Sequence, residues 1–188
     1  SKDEFDYYAG VQFNQYNINP GSLDPGSGNS IIPVDLSNEK SQEFSFFTNF
    51  NWNLSKRLSI SSGIRLTHFS LLGPYDQGLY DKDGFFEGTN TIASNESIAT
   101  YTNPEPRLGL NYKLGEYSSL KMSYASIYQY IQNIYNTSTP LPTSRWKISD
   151  SYILPQKNDT YGLGIYKNYP KKGIDFYVER YYSNNQNK

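Results

Sequence analysis

Between Glu43 and Leu54 the chain alternates in character. Phe44, Phe46, Thr48, Phe50, Trp52 and Leu54 occupy the even positions, and Glu43, Ser45, Asn49, Asn51 and Asn53 the odd ones, with Phe47 the single exception. A period of two sends successive side chains to opposite faces, so this run predicts a strand with one apolar and one polar face. After Ser55 and Lys56 the pattern resumes, with Leu58, Ile60, Ile64 and Leu66 on one side and Arg57, Ser59, Ser61, Gly63 and Arg65 on the other. Two such runs across a tight break predict a hairpin. A second hairpin follows at Leu108, Leu110, Tyr112 and Leu114, turns at Gly115 to Ser118, and returns through Leu120, Met122 and Tyr124. A first strand around Tyr7 to Asn17 and a last hairpin, Tyr161 to Ile165 against Ile174 to Val178 across Tyr169 to Gly173, bring the count to seven strands.

The connections fall into two classes. Breaks near 54–57, 115–118 and 169–173 are short, whereas those near 18–40, 72–101 and 129–156 are long and rich in Gly, Pro, Asn, Ser and Tyr. Strict alternation of short and long places every long loop at one end of the sheet. Compact soluble domains usually connect their elements with about 4 to 6 residues, while outer-membrane barrels pair short turns on one side with long loops on the other. The expected fold class is therefore all-β, an antiparallel up-and-down meander of about seven long strands forming part of a larger transmembrane β-barrel. The same alternation also permits a soluble or surface carbohydrate-binding β-sandwich with one buried face, and that alternative stays open here.

Composition narrows the field. Hydrophobic residues make up 36% of the 188 positions and the mean hydropathy is −0.71, yet aromatics reach 16%. Disordered chains are poor in aromatics, and a barrel strand averages to a soluble hydropathy because lipid-facing and lumen-facing residues alternate. No stretch approaches the roughly 18 consecutive apolar residues of a membrane helix. A formal charge of −1 carries no nucleic-acid footprint, and the absence of Cys excludes disulfides, Cys-ligated zinc and thiol catalysis.

The run Glu105-Pro106-Arg107-Leu108-Gly109-Leu110-Asn111-Tyr112 resembles a strand opening common in the barrels of TonB-dependent receptors. Leu120 to Ala125, the aromatic run Tyr128 to Gln132, Trp146, the segment Ser149 to Gln156 and the strand Tyr161-Gly162-Leu163-Gly164 follow in that family's order. The resemblance covers roughly residues 101–182 and rests on pattern before that. It implies a barrel of about 22 strands closed around a plug, placed in the bacterial cell outer membrane, that takes up an iron chelate, vitamin, glycan or peptide without covalent chemistry or a cofactor. The implied partners are TonB, through a plug segment not in this chain, an unknown nutrient and outer-membrane lipid. Residues 1–188 are expected to be a single fragment of the barrel domain, with the plug and remaining strands outside it.

Candidate chemistry concentrates in the long loops. Tyr75, Tyr80, Phe85, Phe86, Tyr128, Tyr135 and Trp146, with Tyr101 and Tyr130 beside them, supply rings that can stack on a ligand; equally, such rings can pack loops together. Asp81, Asp83 and Glu87, with Asp76, offer oxygen ligands, and Asp81-Lys82-Asp83-Gly84 partly resembles a calcium loop, though the spacing of an EF-hand is missing. A solvated loop is the plainer reading of that cluster. His68, the only histidine, stands near a strand end without a nucleophile motif, so a structural role is expected for it.

Overall fold

The structure, a computed structural model, describes residues 5–19, 21–23, 34–35, 38–135 and 144–187. In chain order its strands are β1 (Phe5–Ile18), β2 (Ser22–Leu23), β3 (Val34–Asp35), β4 (Glu39–Asn53), β5 (Leu58–Leu72), β6 (Tyr75–Tyr80), β7 (Phe86–Ile92), β8 (Ser97–Gly115), β9 (Ser118–Gln129), β10 (Ile131–Tyr135), β11 (Ser144–Ile148), β12 (Gln156–Tyr169) and β13 (Ile174–Gln186). Seven of these form one antiparallel sheet in the order β1-β4-β5-β8-β9-β12-β13. Every long strand lies beside its predecessor, so the meander read from the sequence is the observed topology.

The ladders align the alternating residues into two unlike faces. Phe5, Trp52, Ile60, Leu110, Met122 and Leu163 stand in one row across six strands, and on the opposite face Ser61, Gly109, Ser123 and Gly162 form another. The apolar face is the exposed one: Phe46 and Leu66 are each 45% exposed and Leu163 46%, whereas Ser41 and Ser45 on the polar face are 0% exposed. Among the described residues no second layer covers the apolar face, which removes the β-sandwich alternative.

Phe47, the exception in the alternation, points to the polar face and lies over Gly10, where an added Cβ would meet its ring at 2.6 Å. Tyr181 over Gly162 and Tyr166 over Gly164 repeat the device. Tyr166 lies three residues before Tyr169, where β12 enters the last short turn. It faces inward, because Ile165 and Lys167 occupy the apolar side of β12; Phe50, Trp52 and Tyr112 lie on the apolar side near the turns.

The short turns gather at one end. The Lys113 N–H donates to the Arg57 carbonyl at 2.7 Å and the Asn168 N–H to that of Tyr117 at 2.8 Å, tying neighbouring turns together. The last turn is a 3-10 segment, Pro170–Lys172, closed by Gly173 at φ 62°, a left-handed conformation that favours glycine.

At the other end the long connections are more ordered than expected. The 72–101 link contains the hairpin β6–β7, and β8 already begins at Ser97; the 129–156 link contains the hairpin β10–β11. Most of the 18–40 link lies outside the described residues. Pro104 and Pro106 sit within β8, which is uncommon for an interior strand. They are tolerated because β8 pairs with β5 along this stretch but meets β9 only from Arg107 onward. In the gap, the Tyr128 N–H donates to the Glu105 carboxylate at 3.2 Å instead of to a strand carbonyl.

Candidate functional site

The loop end of the polar face carries the only hydrophobic core among the described residues. Phe69 and Leu71 of β5 are fully buried beneath Tyr130 and Ile148, which the β10–β11 segment folds back over the sheet. Phe69 and Tyr130 stack with centroids 4.5 Å apart and an interplanar angle of 6°. Burial pushes the Tyr130 hydroxyl up to about 12, so it stays protonated while accepting the Asn103 amide at 3.0 Å.

A buried ionic clamp holds this segment in place. The Lys147 ammonium lies 2.6 Å from Glu39 Oε1 and 3.0 Å from Asp150 Oδ2, and donates to the Tyr75 hydroxyl at 3.3 Å. The second Glu39 oxygen accepts the Ile148 N–H at 2.7 Å. Asp150 also turns its other oxygen to the Tyr152 and Ile153 N–H groups, at 2.9 and 2.8 Å. Desolvation pulls the Lys147 ammonium downward, but the Glu39 hydrogen bond and the charges of Glu39 and Asp150 outweigh it, leaving its pKa above the ordinary lysine value. Below the clamp, Arg65 on the polar face bonds Gln12, Glu43 and Ser45 within 3.0–3.1 Å, so the wall beneath is charged and internally paired.

The expected site residues divide. Tyr80, Phe85, Phe86 and Trp146 are exposed, at 52%, 71%, 62% and 53%. Tyr80 packs edge-on against Phe86 and Tyr152, and the Tyr152 hydroxyl donates to the Gly78 carbonyl at 3.1 Å, joining the segment that follows β11 to the β6–β7 hairpin in one aromatic rim. Tyr75 is half-buried and belongs to the clamp, while Tyr101 and Tyr130 pack in or against the core. Tyr128 also packs against that core, and the Lys157 ammonium lies 6.0 Å from its ring. Tyr135 closes β10, and its side chain lies outside the described residues.

Among the acidic residues, Asp81 Oδ1 accepts the N–H groups of Asp83 and Phe85 at 2.9 and 2.8 Å, and Asp76 accepts the Thr91 hydroxyl. Asp81 thus caps the β6–β7 turn, and among the described residues no group of three metal-type ligands gathers. His68 faces the apolar side and bonds Thr102 at 2.9 Å, away from the rim. Sequence reading missed Glu39, Lys147 and Asp150 as a unit. Glu39 and Lys147 are 108 positions apart, and no local signal joins them.

The arrangement can stack on and hydrogen-bond to a ligand; among the described residues it holds no paired nucleophile and base. A family described as TonB dependent receptor-like, beta-barrel matches residues 2–188. Among solved structures the chain is similar to one titled "Copper transporter OprC", with a TM-score of 0.60 and 15% identity over 96% of this chain. This chain spans 28% of the length of that one. No curated protein sequence matches.

Proposed function

Because the chain belongs to the TonB-dependent receptor-like β-barrel family, we propose that it forms part of the wall and loop end of an outer-membrane active transporter. The observation that carries the reading is the inverted distribution of side chains: large apolar groups exposed on one face, and buried serines, carboxylates and an arginine network on the other. Water would penalise that apolar face over seven strands, whereas hydrocarbon accepts it. The strands, of 12 to 19 residues, exceed the roughly 9 to 11 a tilted strand needs to span.

In this reading the nutrient is captured at the loop end by Tyr80, Phe85, Phe86 and Trp146, with Tyr128 and Tyr135 flanking, and passes along the polar face when TonB, acting through a plug segment, opens the way. An iron chelate, vitamin, glycan or peptide suits an aromatic rim with amide and hydroxyl neighbours. Within this chain nothing favours copper as cargo: its single Met and single His, Met122 and His68, stand on the apolar face and it has no Cys. The lack of native Cys in this chain allows a direct test. Single cysteines at Leu66 and Leu163, on the apolar face, and at Asn49 and Ser123, on the polar face, are exposed in cells to a membrane-impermeant maleimide and to a lipid-soluble one. The reading requires the apolar-face pair to react only with the lipid-soluble reagent; labelling of all four by the impermeant reagent would refute it.

A further inference from the structure

Phe47 and Asn49 both point to the polar face of β4, and each lies down over a glycine of a neighbouring strand. Phe47 covers Gly10 of β1, and Asn49 covers Gly63 of β5, where an added Cβ would collide with its amide oxygen. With both side chains flattened in this way, the wall opens midway along β4 and β5 into a cavity of about 240 Å³, lined by Tyr8, Gln12, Phe47, Asn49, Arg65 and Arg107. Its lining holds two cations and no carboxylate.

The two arginines are held very differently. Arg65 spends Nη2 on Gln12, Glu43 and Ser45, at 3.0, 3.1 and 3.0 Å, and Nε on Thr67 at 3.3 Å, which leaves Nη1 without a partner among the described residues. Arg107 is 53% exposed, and its single ionic contact among the described residues is Glu105 at 3.9 Å. Its ladder neighbours are Gly63 and Ala125, which have no side chain able to reach it. The two acids nearby are occupied outside the cavity: Glu105 accepts the Tyr128 N–H at 3.2 Å, and Glu43 accepts the Tyr16 and Ser45 hydroxyls as well as Arg65. Arg65 pairs across the ladder with Glu105, so it stands diagonally from Arg107. Such diagonal neighbours lie about 7–8 Å apart, a spacing at which two cations repel and one anion set between them is drawn to both.

We propose that the cavity between Arg65 and Arg107 is a binding station for an oxyanion, a carboxylate or phosphate group borne by the transported nutrient. The guanidinium fork of Arg107 matches such a group in shape and binds it with charge-assisted hydrogen bonds, and the Asn49 amide and Tyr8 hydroxyl, which border the same cavity, add neutral donors. Sites for whole ligands run to about 300–1,000 Å³, so this smaller cavity suits one anionic group of a cargo in passage. The inference deepens the transport reading above and rests on it: it selects, among chelates, vitamins, glycans and peptides, those that carry an oxyanion.

The test takes the intact receptor from its own outer membrane into mild detergent and modifies its arginines with phenylglyoxal, followed peptide by peptide by mass spectrometry. Inorganic phosphate, malonate and chloride are compared at one ionic strength. At ten times its dissociation constant, bound phosphate or malonate is expected to slow modification of Arg107 about ten-fold relative to chloride, while the exposed Arg57 of the first short turn reacts alike in all three. Asn49→Leu should cut that protection to about three-fold or less without changing the rate in chloride. Equal rates at Arg107 in the three salts, or equal protection at Arg57, overturn the proposal. An Arg107 that reacts in none of them shows the cavity already filled, as by an acidic side chain of the plug, and also overturns it. The nutrient's part is read in cells whose growth depends on the receptor: Arg107→Gln, folded by heat-modifiable migration, should slow that growth, and undiminished growth overturns the assignment to cargo. If Arg107→Gln does not fold, Asn49→Leu is read in the same way. Absence of the wild type from the outer membrane fails the underlying reading, a result separate from any rate at Arg107.

Discussion

Lys147→Met keeps most of the side chain's length and removes its charge. In the native protein Lys147 is 9% exposed and Glu39 5%, so the substitution leaves a carboxylate buried with Asp150 and without its cation. Removing one partner of a buried pair costs about 3–5 kcal/mol, which is roughly two to three and a half decades in an opening equilibrium. The element that opens is the β10–β11 hairpin, because Glu39 grips both the Lys147 ammonium and the Ile148 N–H. Native-state hydrogen exchange on the intact receptor reads this residue by residue. The Ile148 and Ser149 amides, bonded to Glu39 and to the Tyr130 carbonyl, should lose protection by about a hundred-fold or more, while the β4–β5 ladder stays unchanged. A change below about three-fold would refute the assignment of the clamp. The double variant Glu39→Leu with Lys147→Met tests the cause, since an apolar replacement of the whole pair should recover much of the loss.

The remaining predictions concern pH, sheet packing and the rim. A raised folded-state pKa means that Lys147 contributes stability fully below the ordinary lysine value of 10.5, and that this is lost as pH climbs through the higher folded value. Protection of the hairpin should therefore fall only in strongly alkaline solution, and Lys147→Met should abolish that phase. At Gly63 an added Cβ would meet Asn49 Oδ1 at 2.2 Å and the Thr48 carbonyl at 2.9 Å, whereas Gly88 faces open space. Gly63→Ala should cost about 1–3 kcal/mol in urea unfolding and Gly88→Ala close to nothing; equal effects would contradict the packing described. Phe85→Ala with Phe86→Ala should leave folding within about 0.5 kcal/mol of wild type, as expected for exposed positions, while lowering nutrient-limited uptake; undiminished uptake would remove these rings from ligand capture.

How far the sequence could be read depends on where water and hydrocarbon act alone. Across the middle of β4 and β5 each side chain meets one environment, and the period of two is clean enough to place both strands and their turn. Toward the loop end the phase inverts. On β5 the apolar residues shift from the even positions, ending at Leu66, to the odd positions Phe69 and Leu71, because these are covered by Tyr130 and Ile148 instead of facing water. The first phase ends at Leu66, six residues before the strand does. The start of β8 was hidden for another reason: Pro104 and Pro106 argue against an interior strand unless β9 is known to have parted from it.

The same cause explains why the rim was partly legible and the clamp was not. Exposed rings announce themselves by composition, since a soluble loop has no need of Tyr80, Phe85 and Phe86 in sequence, and Asp83-Gly84 is a turn signal that points to a hairpin as readily as to a cation site. A buried charge has no such local signature. Lys147 reads as an ordinary loop lysine until Glu39, at the mouth of β4, is brought against it by the meander. What makes the pair tolerable is that both carboxylate oxygens of Glu39 and both of Asp150 find donors within 3.0 Å. A clamp so fully satisfied fixes one loop against the wall, and the aromatic hairpin β6–β7, proposed above to meet the ligand, is held to it through Tyr75 and Tyr152.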